Sequence, residues 1–419
     1  VPVLEKLIPC PNKITGMKSL LFFLLALVGL SAQAQFKADN VTYKTVYPED
    51  LCQTLKNNPQ YILLDVRSQG EYDDSLSSGP GLNIGHLKNS MHIDIRQLPQ
   101  RWKELNAYKN RPIFIYCSHS QRSRRASRLL ADSGFTKIFN VNGGLTDFYE
   151  QGIQENPCKT YEIVSNLPYK ILSSKQLAGD SKSYYVIDLR SDSVFNGIAS
   201  REKTSMQGKF TGAVSMPYDK FMASTSFTLP SRPILLVDED GDQSPQAAIY
   251  LTKKGYKDIH ILFGGMSDFS QYYYTQSDQS KIKYETVNHY GVLSADNYYS
   301  IVQAKKIYTL IDLRTANEFQ NKSKNYWQNI GNLQGAINVP YAELANNPRL
   351  PANKDGLIIL YAFNDDNDIY AASHWLKDNG YHNVHILHGG IWNIRWAAHN
   401  LKGKEHLSEL VVNVPQESL

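Results

Sequence analysis

Three tripeptides with one spacing constrain this chain more than any other feature. Asp65-Val66-Arg67, Asp188-Leu189-Arg190 and Asp312-Leu313-Arg314 stand 123 and 124 residues apart. Gly143-Gly144, Gly264-Gly265 and Gly389-Gly390 keep step at 121 and 125 residues, each behind a short β-rich run. Between these landmarks lie Gly85-His86-Leu87, Gly208-Lys209-Phe210 and Gly331-Asn332-Leu333, and 11 or 12 residues separate an aromatic (Tyr72, Phe195, Phe319) from that glycine. A unit this long can bury its own core, so the pattern is domain duplication rather than a solenoid whose repeats depend on their neighbours.

Within a unit, continuous Val/Ile/Leu-rich runs such as 61–66 and 113–116 alternate with helix-patterned stretches such as 125–133. Runs apolar on both faces predict buried strands, hence an α/β fold of three tandem three-layer domains, each a mainly parallel sheet flanked by helices. The expected division is an upstream extension and signal peptide over 1–34, domains over 36–157, 158–284 and 285–405, and a tail over 406–419.

Met17-Lys18, the apolar run 20–30 and Ala32-Gln33-Ala34 read as a secretory signal peptide over 17–34; about 11 apolar residues fall short of the roughly 20 that span a bilayer. The expectation is an exported protein, periplasmic or secreted, with no membrane attachment after cleavage. Removing 1–34 takes away Lys6, Lys13, Lys18 and Glu5 and lowers the net charge from +4 to about +2, which gives no case for a nucleic-acid partner. Cys10 leaves with that segment. Cys52, Cys117 and Cys158 remain, an odd count that implies a free thiol or an intermolecular bridge. Cys52 and Cys158 are placed either as a structural disulfide or as two buried thiols, and Cys117 is unpaired in both cases.

Cys117 ends a β-forming run and opens the loop Cys117-Ser118-His119-Ser120-Gln121-Arg122, after which Ser123 begins a helix-patterned stretch. A strand-to-helix turn aims backbone N–H groups and the positive end of the helix dipole at its first residue, which favours a thiolate. His119, Arg122, Arg124 and Arg125 are expected to add positive charge, although Arg124, Arg125 and Arg128 fit a solvated helix face equally well, at least two of them. Asp65 and Arg67 read as a structural ion pair at a strand end. His382, His385 and His388 invite a metal, yet a strand alternates faces at every residue, so neither a metal nor another cofactor is expected.

Taken together, Asp65-Val66-Arg67, Glu71-Tyr72, Gly85-His86-Leu87, the Cys117–Arg122 loop and Gly143-Gly144 resemble a rhodanese domain, in three tandem copies of which only the first has the cysteine. The resemblance implies a five-stranded sheet and a persulfide-forming cysteine, with His86 architectural. A six-residue loop ending in arginine is similar to the sulfurtransferases, whereas the related phosphatases use one residue more. The chain departs from that pattern at Ser120, where many relatives have glycine, at Asn89 and Ser90, and in a long insert after Tyr72. Asp238 and Ala362 stand where Cys117 stands, in loops that are acidic rather than basic.

The resemblance implies a sulfurtransferase that moves sulfur from thiosulfate or another small sulfur-containing anion to a thiol or cyanide acceptor, with a protein acceptor compatible. In this reading Cys117 is the nucleophile, Arg122 orients the donor, and Ser118, His119, Ser120, Gln121 and Ser123 line its site. The alternative is a non-catalytic binding or redox-sensing scaffold, kept open by two degenerate loops against one intact one.

Overall fold

The computed structural model describes residues 43–153, 160–180, 183–197, 208–276, 282–286 and 290–415. The expected signal peptide, Cys10 and Cys158 lie outside the described residues. Each unit builds a five-stranded parallel sheet. The first contains β1 (Lys44–Val46), β2 (Ile62–Asp65), β3 (Met91–His92), β4 (Ile113–Tyr116) and β5 (Ile138–Val141), in the order β1-β5-β4-β2-β3. The second repeats that order with β6 (Lys170–Leu172), β7 (Tyr185–Asp188), β8 (Val214–Ser215), β9 (Ile234–Val237) and β10 (Ile259–Leu262), as β6-β10-β9-β7-β8. The third does so with β11 (Gly291–Leu293), β12 (Thr309–Asp312), β13 (Ile337–Asn338), β14 (Ile358–Tyr361) and β15 (Val384–Leu387), as β11-β15-β14-β12-β13.

Strand alternation sets the cores and aims the site. Along β4, Ile113 and Ile115 face one side together with Cys117, Ala126 and Leu130, while Phe114 and Tyr116 face the other with Leu51 and Leu145. Both faces are buried, so the run carries no polar alternation. The central strand therefore delivers Cys117 to the face covered by α2 (Gln121–Asp132).

The two leading motifs are halves of one buried staple. The Arg67 guanidinium donates to both Asp65 carboxylate oxygens (Nη2 to Oδ2, 2.8 Å) and to the Gly85 carbonyl at 2.7 Å. Arg190 joins Asp188 to Gly208 O, and Arg314 joins Asp312 to Gly331 O, in the same way. Asp65 and Arg67 are fully buried, so each depends on the other's charge and on these bonds to offset the loss of water.

Domain ends differ from the expected boundaries because a short antiparallel strap closes each unit. Ile163–Val164 pairs with His86–Leu87, and Tyr161 lies in the first core, so the first domain continues past 157. Tyr284–Glu285 pairs with Lys209–Phe210 in the second. Val411–Val412 pairs with Asn332–Leu333, and Leu407 and Leu410 are buried, so the expected tail from 406 is part of the third domain.

The three units touch pairwise. Tyr149 stacks on Phe263 at 5.1 Å, Lys402 pairs with Asp50 at 2.7 Å, and Asn297 donates to the Tyr274 carbonyl. The insert after Tyr72 reaches the second domain, where the Gly81 N–H donates to Asp242 Oδ1 at 3.0 Å.

Candidate active site

The loop between β4 and α2 is pinned from beneath by the glycine pair. The N–H of Leu145, in α3 (Gly144–Glu150), donates to the Cys117 carbonyl at 2.8 Å, and that of Thr146 to the Ser118 carbonyl at 3.1 Å. Gly144 has φ +66°, and a Cβ there would stand 2.6 Å from the Cys117 carbonyl oxygen. Close approach, together with positive φ, makes this glycine obligatory. Met266 and Ser267 clamp Asp238 and Glu239 in the second domain; Ile391 and Trp392 clamp Ala362 and Phe363 in the third.

Cys117 is a free thiol at the carboxyl end of the central strand. The Ser120 N–H donates to its sulfur at 3.1 Å, and Ser123 Oγ lies 3.6 Å away. Ser120 has φ +87°, the left-handed conformation that its aligned counterpart Gly241 adopts at +85°. The departure from glycine carries a strain of order 1 kcal/mol. A compensating contact accompanies it: the Ser120 hydroxyl accepts the Gly143 N–H and so joins the loop to the glycine pair.

The loop is less open than the sequence implies. Cys117 is 1% exposed, and Ser118, Ser120 and Ser123 are buried; only His119 and Gln121 are exposed. Arg122, 24% exposed, donates from both terminal nitrogens to Glu71 (2.6 and 2.7 Å) and from Nη2 to Ser118 Oγ (2.7 Å). Glu71, 4% exposed, ends with its pKa lowered to about 2: burial opposes this, but Arg122 and Ser68 outweigh it. Although the His119 ring keeps an exposed edge, desolvation of its inner side and the Arg122 charge lower its pKa.

The expected cations divide. Arg125 and Arg128 are exposed on the outer face of α2. Arg124 is buried and donates to Asn142 Oδ1, to Asn400 Oδ1 and to the His399 carbonyl at the end of α7 (Gly390–Asn400) in the third domain. His86 is held by Tyr72: it stacks on that ring at 4.1 Å, which stacks in turn on His92 at 4.5 Å. The three downstream histidines go separate ways, His382 to Asp355, His388 to Asp365 and His385 against Gly291. Cys52 is disulfide-bonded, its partner lying outside the described residues.

Sequence reasoning missed Glu71 as a site residue, because its partner is 51 positions away. It also left unnamed what the second loop shows about the first. Asp238, 1% exposed, accepts N–H bonds from Gly241 (3.2 Å), Gln243 (2.5 Å) and Ser244 (3.2 Å). A carboxylate thus occupies the amide cup at the thiol's aligned position.

The family model described as the Rhodanese-like domain matches residues 48–151, 172–272 and 294–395. Among curated relatives, a tRNA uridine(34) hydroxylase of Cytophaga hutchinsonii is 29% identical over 111 residues, 26% of this chain and 32% of that protein. The uncharacterized protein YqhL of Bacillus subtilis is 35% identical over 82 residues, covering 20% of this chain and 56% of that one. This chain therefore spans about a third of the first relative and just over half of the second. A thiosulfate sulfurtransferase structure from Pseudomonas aeruginosa aligns over 88% of this chain and 67% of its own, at 15% identity and a TM-score of 0.25.

Proposed function

We propose, starting from the fact that this chain belongs to the rhodanese-like family as three tandem domains, that it moves sulfane sulfur through a persulfide on Cys117. The observation that carries this reading is the free thiol receiving the Ser120 N–H at the start of α2. The Cys117 thiolate attacks the outer sulfur of a donor; a new S–S bond forms as the donor's own bond breaks, and the leaving group departs with the electron pair. A thiol or cyanide then takes the sulfur and restores the thiolate. The Asp238 carboxylate in the matching cup supports the capacity of this backbone to hold a negative group.

Burial of Cys117 favours a second reading, a scaffold in which the thiol never turns over. One experiment separates the two. Wild type and Cys117→Ser are incubated with several sulfane donors, and sulfur uptake is followed by intact mass and thiocyanate release. A gain of one sulfur by wild type alone supports the enzyme; no uptake from any donor supports the scaffold, and turnover surviving in the variant removes Cys117 from the mechanism.

Export belongs to the same proposal. The apolar segment before Ala32-Gln33-Ala34 and the disulfide at Cys52 both support an oxidising compartment. Similarity to the tRNA hydroxylases extends over about one repeat, so it supports the module and not that reaction.

A further inference from the structure

The cations at the mouth of the Cys117 loop cancel within pairs. Arg122 has spent both Nη2 hydrogens on Glu71 and Ser118, and Nη1 also donates to Glu71. Arg96, whose charge is felt at both Arg122 and Glu71, is bound through Nε to the two Asp94 oxygens at 3.0 and 3.1 Å. Arg124 is turned into the third domain, and Arg125 and Arg128 face solvent along α2. Among the described residues, a dianion arriving at the loop itself finds amides and guanidiniums already paired, with the exposed Arg125 and Arg128 along the outer face of α2.

Glu71 does two things that separate cleanly across the repeats. Its Oε2 accepts the Ser68 N–H (3.0 Å) and hydroxyl (2.7 Å), closing a capping box. Glu318 makes the same two contacts with Thr315 in the third domain, whose loop has Asn367 in place of the arginine, and Val194 stands at this position in the second. Capping therefore needs no arginine. The ion pair is an addition in the one domain that has the cysteine.

We propose that Glu71 is a specificity-determining positioning residue: it holds Arg122 as a neutral pair beside Cys117 and tunes the site to a low-charge sulfane donor, an organic persulfide, over a dianion such as thiosulfate. The proposal rests on the sulfurtransferase reading. With a persulfide R–S–SH, the thiolate attacks the outer sulfur and the new S–S bond to Cys117 forms as the donor's own S–S bond breaks; R–S⁻ leaves with the electron pair and Cys117–S–SH remains. With thiosulfate the same displacement must expel sulfite, and both the entering and leaving groups carry two negative charges.

The test is Glu71→Gln, which keeps the size and the capping acceptor and removes the charge. Values of kcat and KM are measured with thiosulfate and with 2-hydroxyethyl persulfide, cyanide being the acceptor for both, and Cys117 loading is read by mass. Wild type should show the higher kcat/KM with the persulfide. The variant should lower the thiosulfate KM about tenfold and move the persulfide KM by less than about twofold. A wild-type preference for thiosulfate, or an unchanged ratio of the two donors in Glu71→Gln, overturns the assignment. Should the variant fail to fold, the salt dependence of wild type decides: kcat/KM for thiosulfate should vary less than about threefold between roughly 20 and 300 mM salt, and a fall of about tenfold or more overturns the neutral mouth. Absence of sulfur uptake from both donors has a different meaning: it removes the sulfurtransferase reading and the role of Glu71 with it.

Discussion

The loop after β4 and the loop after β9 share a backbone and differ in what they hold. In the first, the cup receives a thiol and gives it one N–H, from Ser120; in the second it receives the Asp238 carboxylate and gives three. The turn faces its amides inward whatever side chain the strand delivers, and those amides favour a negative group even where burial, as at Asp238, outweighs them. The surroundings diverge in the same sense. Around Cys117 opposite charges are paired off, whereas Glu239, Asp240 and Asp242 surround Asp238 with like charge. The second loop is also a surface on which the first domain's insert docks, through Gly81 and Asp242.

The largest effect expected from probing this comparison is on the clamp that both loops share. Gly144→Ala should destabilise the first domain by about 4 kcal/mol, since the new Cβ meets two carbonyls at positive φ. Gly265→Ala should cost the second domain a similar amount, because its Cβ would meet Asp240 N and Glu239 O at 2.7 Å. Chemical denaturation followed domain by domain checks this; a small effect at either glycine would show that the clamp is not common to both.

Acid should then act in opposite directions on Glu71 and Asp238, the carboxylates that distinguish the two loops. Glu71 has its folded pKa depressed from 4.5 to about 2, so its stabilisation is complete above 4.5 and is lost as pH falls through about 2. Asp238 is raised from 3.8 to about 6 by burial, so its contribution is complete below 3.8 and is lost as pH rises through about 6. Each window is worth about 3 kcal/mol. Amide exchange at Ser68 and at Gln243, corrected for intrinsic rates, should show protection at Ser68 weakening from pH 4.5 downward and the second domain tightening from pH 6 to 4. Parallel behaviour would break the contrast.

The smallest expected effect is also the sharpest. Asp238→Cys places a thiol in the second cup with its amides intact but with acidic neighbours and no arginine. Sulfur uptake at residue 238 should be about a hundredfold slower than at Cys117, roughly 2.7 kcal/mol in barrier. Equal rates, read by peptide mass, would mean that the nucleophile alone distinguishes the loops.

Much of the fold was legible because its devices are local or repeated. Asp65 and Arg67 are two residues apart, and their recurrence at 188/190 and 312/314 exposed the triplication before any contact was known. The strain at Ser120 was legible too, since relatives of the family it resembles have glycine there. The third domain's end was not: Val411–Val412 shows no signal until paired with Asn332–Leu333, about 80 positions earlier. The cationic loop was misread for the same reason. A sequence displays charges but not their partners, and Arg122 finds Glu71 across 51 residues while Arg124 finds Asn400 across 276.

By itself, then, the sequence determined the three parallel sheets, the recurring glycine pairs and the one cysteine at a loop start, because strand period, glycine conformation and residue identity are properties of short segments. Tertiary structure alone decided how far that cysteine is buried, which cations remain unneutralised around it and what the degenerate loops now touch. Those depend on the mutual approach of distant segments, where desolvation and pairing can cancel a charge that composition counts in full.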